Sequence, residues 1–166
     1  LPFLPYLLGY SRDALQLIHD LAHIPNLGGT KYTAANMAEM SQIVQFRSEG
    51  WTVFSGMDEQ AALGLMFGSA GMIGSTLNFM PGVYREIFSA VKAGDHAAAL
   101  EWQRRANAVT FHMLKIGFVG AFREMMQMLG FPCGAPRIPN LPLPDAQRAP
   151  LHEALKRLDF AELAAL

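Results

Sequence analysis

The chain has 166 residues, of which 51% are hydrophobic and 16% are charged, with a formal net charge of -1. This composition predicts one soluble globular domain with enough apolar material for a core. The 13 basic residues form no dense run, which excludes the electrostatic footprint of a nucleic-acid-binding protein. The single cysteine, Cys133, excludes an internal disulfide and favours a reducing, cytoplasmic setting.

We interpret the first ten residues as the start of the folded domain rather than as a targeting segment. The chain begins at Leu1, and residues 1–10 lack the basic region and cleavage site of a signal peptide, so we expect a fragment. Residues 4–8 are predicted as a strand. Ser11 is predicted to cap a helix over residues 13–23.

Two histidines on that predicted helix, His19 and His23, have a spacing that can place metal ligands on one face. No third ligand lies nearby, and the other three histidines are isolated. We therefore interpret them as ordinary helix-end residues, and we expect neither a metal site nor a cofactor.

A glycine-flanked lysine is the first candidate for chemistry. Lys31 lies in residues 28–33, Gly-Gly-Thr-Lys-Tyr-Thr, at the end of a predicted short strand between two helices. Loops after the carboxyl ends of strands face the site in α/β proteins. Most lysines are solvated surface residues. Here the glycines permit close backbone approach, and the threonines can bind a small polar ligand.

The next segment continues the alternation of helix and strand. Residues 34–49 have apolar side chains at helical spacing and are predicted as a helix that ends at Gly50. Residues 51–54 are predicted as a strand. Asp58 and Glu59 follow, and two interpretations stay open: they complement a helix dipole, or they bind hydroxyl groups at the mouth of a site.

The stretch 60–84 carries no formal charge and is long enough to span a membrane. Glycines interrupt this stretch, and its serines, threonine and asparagine would need hydrogen-bond partners inside the lipid. We predict instead a helix over 59–67, a turn at 68–71 and a buried strand near 72–73. The alternation predicts an α/β fold with parallel strands.

After Pro81 the sequence predicts three successive helices with glycine stops. They lie at 82–93, 95–116 and 118–129. Asp95 is the predicted N-cap of the second. The proline-rich segment 131–150 is predicted to be irregular and to run over the surface, and 151–163 to form a final helix.

Three strand-end motifs together resemble one family. They are Gly29-Thr30-Lys31-Tyr32-Thr33, Gly56-Met57-Asp58-Glu59-Gln60 and Gly74-Ser75-Thr76-Leu77-Asn78. They are similar to the last three strand-end motifs of the N-acetylneuraminate lyases, which are pyruvate-dependent class I aldolases with dihydrodipicolinate synthase as a sister group. The resemblance runs from about residue 24 to the end, including Pro136-Arg137. The second and third motifs resemble the lyase branch.

This resemblance implies the second half, about strands 5 to 8, of a TIM (β/α)8 barrel plus a C-terminal three-helix extension. The partial barrel would occupy residues 1–80, and the helical extension of the same domain residues 81–166. An isolated half barrel exposes strand edges and apolar faces. We therefore expect a homo-oligomer, as in the usually tetrameric family, or pairing with another half.

The resemblance also implies the chemistry. The lysine matching Lys31 forms a Schiff base with a 2-oxo acid, and cleavage between C3 and C4 leaves an enamine that becomes pyruvate. Positions that hold the hydroxylated tail of the sugar acid match Thr33, Gly56, Asp58, Glu59 and Ser75. The implied partners are small molecules, a 2-oxo sugar acid and pyruvate, with no nucleic acid and no membrane.

The chain departs from the family pattern in two respects. The proton-relay tyrosine of the family stands in a Tyr-x-x-Pro setting that residues 2–8 do not offer, so Tyr6 is not assigned that role. The carboxylate-binding loop follows strand two, which lies outside this chain.

The implied reaction is cleavage of N-acetylneuraminate to N-acetylmannosamine and pyruvate. Two alternatives stay open. One is a related 2-oxo acid aldolase or synthase, and the other is an inactive half barrel that associates with a full-length homologue.

Overall fold

The computed structural model describes residues 2–8, 13–46 and 49–166. Short parallel strands alternate with helices, and a run of helices follows, which confirms the α/β class. The strands are β1 (Tyr6–Leu8), β2 (Gly29–Thr33), β3 (Thr52–Ser55) and β4 (Gly71–Met72). The helices between them are α1 (Ala14–Leu21), α2 (Met37–Val44) and α3 (Ala61–Met66). The later helices are α4 (Pro81–Lys92), α5 (His96–Ile116), α6 (Phe118–Met128), α7 (Asp145–Arg157) and α8 (Phe160–Ala165).

The four strands form one parallel sheet in the order β1-β2-β3-β4. Its register creates a row of residues across the sheet, in which Tyr6 pairs with Lys31, Lys31 with Phe54, and Phe54 with Gly71. Paired residues share a face of the sheet, and neighbours along a strand point to opposite faces. Lys31 therefore lies between two aromatic side chains on one face, whereas Tyr32 lies on the other.

The opposite face is covered by helices, because the apolar residues of α1 and α2 recur at helical spacing and pack on it. This cluster of buried side chains consists of Leu7, Ala14, Ile18, Tyr32, Met40, Ile43 and Val53. A larger cluster joins α3 to the later helices, and Ile87, Val109 and Met113 are fully buried in it. The chain that follows β4 is thus packed onto the sheet unit through α3.

Side-chain caps set the starts of three helices. The Asp95 carboxylate accepts a hydrogen bond from the Ala98 N–H at 2.9 Å, which confirms the predicted cap of α5. Asn36 caps α2, so that helix begins three residues later than predicted. It ends at Val44, and Gly50 is therefore not its C-cap. Asp13 caps α1, and the predicted cap at Ser11 lies outside the described residues.

The C-terminal segment differs from the prediction. Helix α7 begins at Asp145, so the irregular proline-rich segment stops at Pro144 rather than residue 150. The prediction of a single helix over 151–163 was wrong, because this segment contains two helices. They are separated at Asp159, whose φ of 51° interrupts the helical backbone.

Other predicted elements shift by small amounts. Strands β3 and β4 are each displaced by one residue, and the predicted helix over 59–67 is a 3₁₀ turn (Asp58–Gln60) followed by α3. The charge-free stretch 60–84 folds into α3, β4 and the start of α4. Among the described residues, no helix has both the length and the apolar character to cross a bilayer.

Removal of the α5 cap should destabilise the fold. We expect Asp95→Ala to lower the free energy of unfolding by about 1 kcal/mol, because the Ala98 N–H loses its acceptor. Asp95→Asn keeps a side-chain oxygen and serves as the matched control. Urea unfolding followed by circular dichroism measures both, and equal losses in the two variants would contradict the capping role.

Candidate active site

Five of the six predicted site residues lie at or just beyond the carboxyl ends of strands, whereas Lys31, predicted at a strand end, lies in the middle of β2. Lys31 and Thr33 are on β2, and Gly56 directly follows β3. Asp58 and Glu59 begin a 3₁₀ turn, here called the acidic turn (Asp58–Gln60). Ser75 follows β4. Because parallel strands end at the same edge of a sheet, the fold gathers these positions on one side, where ligands bind in open α/β sheets.

The Lys31 side chain is half-buried on the row of residues that crosses the sheet. Its Nζ lies 4.1 Å from the centroid of the Tyr6 ring. A Cβ added at Gly56 would lie only 2.7 Å from Lys31 Cε, so the stem of the lysine runs against glycine backbone. The sequence pattern gave no role to Tyr6, but the sheet register places its ring directly against the amine.

The Thr33 hydroxyl lies beside the same glycine. A Cβ at Gly56 would be 1.9 Å from Thr33 Oγ1, so only glycine fits there without displacing the hydroxyl. Oγ1 is buried, and it has no hydrogen-bond partner among the described residues. A buried hydroxyl normally has a partner. Thr33 thus keeps unused hydrogen-bonding capacity next to the lysine stem.

Asp58 is only 7% exposed and links the acidic turn to the loop after β4. Its Oδ2 accepts hydrogen bonds from the N–H (2.9 Å) and the hydroxyl (2.8 Å) of Thr76. Its Oδ1 is buried without a partner in the described part of the chain. A Cβ at Gly74 would lie 1.4 Å from Oδ1. The Asp58 carboxylate therefore holds the first residue of the turn Thr76–Asn78, and only one of its two oxygens has a partner among the described residues.

Tyr84, on α4, extends this network. Its hydroxyl lies 2.5 Å from Thr76 Oγ1. The single Thr76 hydroxyl proton goes to the carboxylate, which can only accept, so Tyr84 is the donor to Thr76. Burial, with the charge of Asp58 as the next cause, raises the pKa of Tyr84 above its ordinary value of 10.0.

Tyr32 has a structural role on the helix-covered face. Its single hydroxyl proton goes to the Glu39 carboxylate, and the hydroxyl oxygen lies 3.2 Å from the Asn36 carbonyl. The other Glu39 oxygen accepts from the Ala14 N–H at 2.9 Å. Burial and the neighbouring Glu39 raise the pKa of Tyr32 above 10.0. Both helices are thereby tied to the strand that carries Lys31.

The backbone carbonyls of Glu59 and of Ser75 are held by hydrogen bonds. The Glu59 carbonyl accepts from Asn107 Nδ2 at 3.0 Å, and the Ser75 carbonyl accepts from Asn78 Nδ2 at 2.8 Å. No described hydrogen bond joins the Glu59 carboxylate or the Ser75 hydroxyl to another predicted site residue. Their roles in binding stay predictions.

Sequence reasoning missed the residues that support the site from the helices. Gln103 is 6% exposed and lies in the buried stripe of α5, between Ala99 and Ala106. A glutamine inside an apolar stripe was the available signal, because a buried amide needs partners. Asn107, one turn further along, carried no comparable signal.

The paired histidines of α1 make local contacts. The His19 ring meets Phe46 edge-on at a centroid distance of 4.9 Å, and His23 Nδ1 lies 2.9 Å from the Asp20 carbonyl. Within residues 2–8, 13–46 and 49–166, no group of three or more histidine, cysteine or acidic side chains is placed to hold a metal ion.

A family model described as the dihydrodipicolinate synthetase family matches residues 11–158. The chain belongs to this family. One relative, the N-acetylneuraminate lyase of Mus musculus, is 30% identical over 168 residues, which cover 96% of this chain and 52% of the mouse protein. A 4-hydroxy-tetrahydrodipicolinate synthase from Exiguobacterium sp. is 27% identical over 146 residues, covering 88% of this chain and 50% of that protein.

The fold is also similar to that of a solved structure. The Proteus mirabilis N-acetylneuraminate lyase superposes with a TM-score of 0.86 at 29% identity, over 96% of this chain and 55% of that chain. The resemblance drawn from the three strand-end motifs is confirmed. The chain spans about half the length of the relatives that it matches.

The close approach of Gly74 to Asp58 gives a stability test. We expect Gly74→Ala to lower the free energy of unfolding by about 1–3 kcal/mol, because the new methyl group must displace the carboxylate that caps Thr76. Gly71→Ala is the matched control, since its Cβ would make an ordinary 3.5 Å contact with Phe54. Urea unfolding measures both, and similar midpoints would show that Asp58 moves freely.

The two buried tyrosines predict a pH dependence. Their pKa values are raised in the folded state, so their contribution to stability is fully present below pH 10.0 and is lost as pH rises beyond it. We expect the free energy of unfolding to fall above that pH, and the fall to be shallower in Tyr84→Phe. Urea midpoints across the alkaline range measure this, and an unchanged slope in Tyr84→Phe would contradict it.

Proposed function

We propose that this chain carries the catalytic lysine of a Schiff-base lyase that cleaves a 2-oxo sugar acid. The substrate that we propose is N-acetylneuraminate, and the products are N-acetylmannosamine and pyruvate. The observation that carries the proposal is the place of Lys31 on β2, where its stem runs against Gly56 beside the Thr33 hydroxyl, which has no partner among the described residues. Membership of the dihydrodipicolinate synthetase family supports it.

The lysine supplies the covalent step. The neutral amine of Lys31 attacks the C2 ketone, and the resulting carbinolamine takes up one proton and loses water to give an iminium ion. As the C4 hydroxyl gives its proton to a base, the C3–C4 bond breaks and its electron pair moves toward the iminium nitrogen. The aldehyde sugar leaves, and an enamine remains. Protonation at C3 and hydrolysis by water then release pyruvate and restore the amine.

The polyol tail would bind at the acidic turn. Asp58 Oδ1 and Thr33 Oγ1 are buried without partners in the described chain, and a sugar hydroxyl would complete the hydrogen bonding of each. Sites built to pair with hydroxyl groups reject analogues that lack them. In this proposal Glu59 and Ser75 complete the polyol contacts, and Gly56 keeps the space open.

The four strands would be strands 5 to 8 of a (β/α)8 barrel, with residues 1–80 as the barrel part and 81–166 as a helical extension of the same domain. Tyr6 and Leu8 on β1 and Ile73 after β4 have exposed apolar side chains. This exposure supports pairing with a further half barrel, either from the same protein or from another copy of it. A homo-oligomer in the cytoplasm is the setting that we propose. No cofactor enters the reaction.

A second candidate is a related 2-oxo acid aldolase or synthase. It is favoured by the similarity to a 4-hydroxy-tetrahydrodipicolinate synthase, at 27% identity. The same Lys31 would form the same pyruvate imine, and only the aldehyde partner would differ. A catalytically inactive half barrel that associates with a full-length homologue is the remaining alternative.

Borohydride trapping with pyruvate tests the lysine. We expect a pyruvate adduct on Lys31 in the chain, or in the chain joined to the part of the Proteus mirabilis lyase that it does not cover. Lys31→Arg should give none, because a guanidinium forms no imine. Lys92→Arg is the matched control, since Lys92 also lies over an aromatic ring. Mass mapping without a Lys31 adduct in either protein would refute the enzyme proposal.

Sugar selectivity tests the acidic turn. We expect Asp58→Asn to keep the pyruvate adduct, because Asp58 is not the nucleophile, and to lower kcat/KM for N-acetylneuraminate by about 100-fold. The asparagine oxygen still caps Thr76, so the change falls on the unpartnered Oδ1. Steady-state kinetics with N-acetylneuraminate measure the loss. An unchanged kcat/KM would contradict the polyol-binding role.

A further inference from the structure

Helix α5 contacts the acidic turn through two amide side chains. Gln103 Oε1 accepts from the Ala62 N–H at 2.8 Å, and its Nε2 donates to the Asp58 carbonyl at 3.0 Å. Asn107 Nδ2 donates to the Glu59 carbonyl at 3.0 Å. Gln103 Nε2 also donates to Asn107 Oδ1 at 2.9 Å, so the two amides form one unit.

The orientation of this amide pair is fixed by its partners. Gln103 Oε1 must face the Ala62 N–H, which needs an acceptor because the first N–H groups of a helix have none within the helix. Its Nε2 then faces the Asp58 carbonyl. Asn107 Oδ1 faces Gln103, which leaves only its Nδ2 for Glu59. A flipped amide would set donor against donor or acceptor against acceptor.

The acidic turn is thus held from two sides. Thr76 binds the Asp58 carboxylate, and Gln103 binds the Asp58 main chain. The two attachments together determine where Oδ1 points. Neither amide is bonded to Lys31 or Thr33, so the pair acts on the acidic residues and leaves the lysine alone.

We infer that Gln103 and Asn107 are positioning residues that set sugar-acid selectivity by fixing the acidic turn. This inference rests on the proposed lyase function. It gives the run of helices after β4 a part in substrate choice, although no residue of α5 belongs to the strand-end motifs. The pair affects binding of the polyol tail and leaves imine formation with pyruvate unchanged.

The test compares two variants of buried α5 residues. Gln103→Met keeps the length of the side chain and removes both of its hydrogen bonds to the acidic-turn region. Val109→Ala also destabilises the core but lies among apolar residues of the large cluster. Each is made in both proteins that are used for borohydride trapping. The measurements are amide exchange at Ala62, adduct formation, and KM and kcat for N-acetylneuraminate.

We expect Gln103→Met to speed exchange at Ala62 and to raise KM about tenfold, with adduct formation within about twofold of the parent protein. Val109→Ala should lower the urea midpoint without either change. Asn107→Leu leaves the buried apolar residues of α5 unchanged and should reproduce the rise in KM. This variant replaces Gln103→Met in the test if Gln103→Met does not fold.

Other outcomes separate this inference from the proposed function. Unchanged exchange at Ala62, or an equal change in Val109→Ala, would overturn the positioning role. Faster exchange with an unchanged KM would overturn the link to selectivity. If the parent protein forms no adduct, the lyase proposal fails, and with it the selectivity role, while the exchange data still decide whether Gln103 fixes the turn.

Discussion

The hydrogen bonds between the Asp58 carboxylate and Thr76 join two loops that leave neighbouring strands. Each loop follows a short strand, and β4 contains only two residues, so the sheet alone gives these loops little support. The carboxylate also connects outward, through Thr76, to Tyr84 on α4. Gly74 makes the approach possible, because any side chain there would collide with the carboxylate. The relative position of the loops after β3 and β4 depends on this contact.

The same edge leaves polar atoms without partners. Buried oxygens of Thr33, Asp58 and Gln60 have none among the described residues. Such a group costs about 1–3 kcal/mol when it is left unpaired. Packing elsewhere must offset this cost, and the large apolar cluster around Ile87, Val109 and Met113 is the available source. Unpaired groups that persist in this way are typical of positions where a ligand supplies the missing partner.

Local patterns were enough to find the strand ends and the candidate residues near them. Lys31 stands out because glycines and threonines surround it, and Asp95 because a capping carboxylate precedes an apolar periodic run. Contacts between distant residues were beyond such patterns. Gln103 meets Asp58 across 45 positions of the chain. The break at Asp159 was missed for a different reason, since an aspartate rather than a glycine adopts the left-handed backbone there.

The glycine turn between α4 and α5 has a consequence for how the length of this protein can vary in evolution. Gly94 adopts a positive φ, and a Cβ built there would meet nothing within 4 Å, so the turn is open. An insertion at this exposed turn leaves the helix intact. Each residue inserted between residues 96 and 103 would rotate both amides by about 100° around the axis of α5. The turn at Gly94 can therefore accept length changes that the first two turns of α5 cannot.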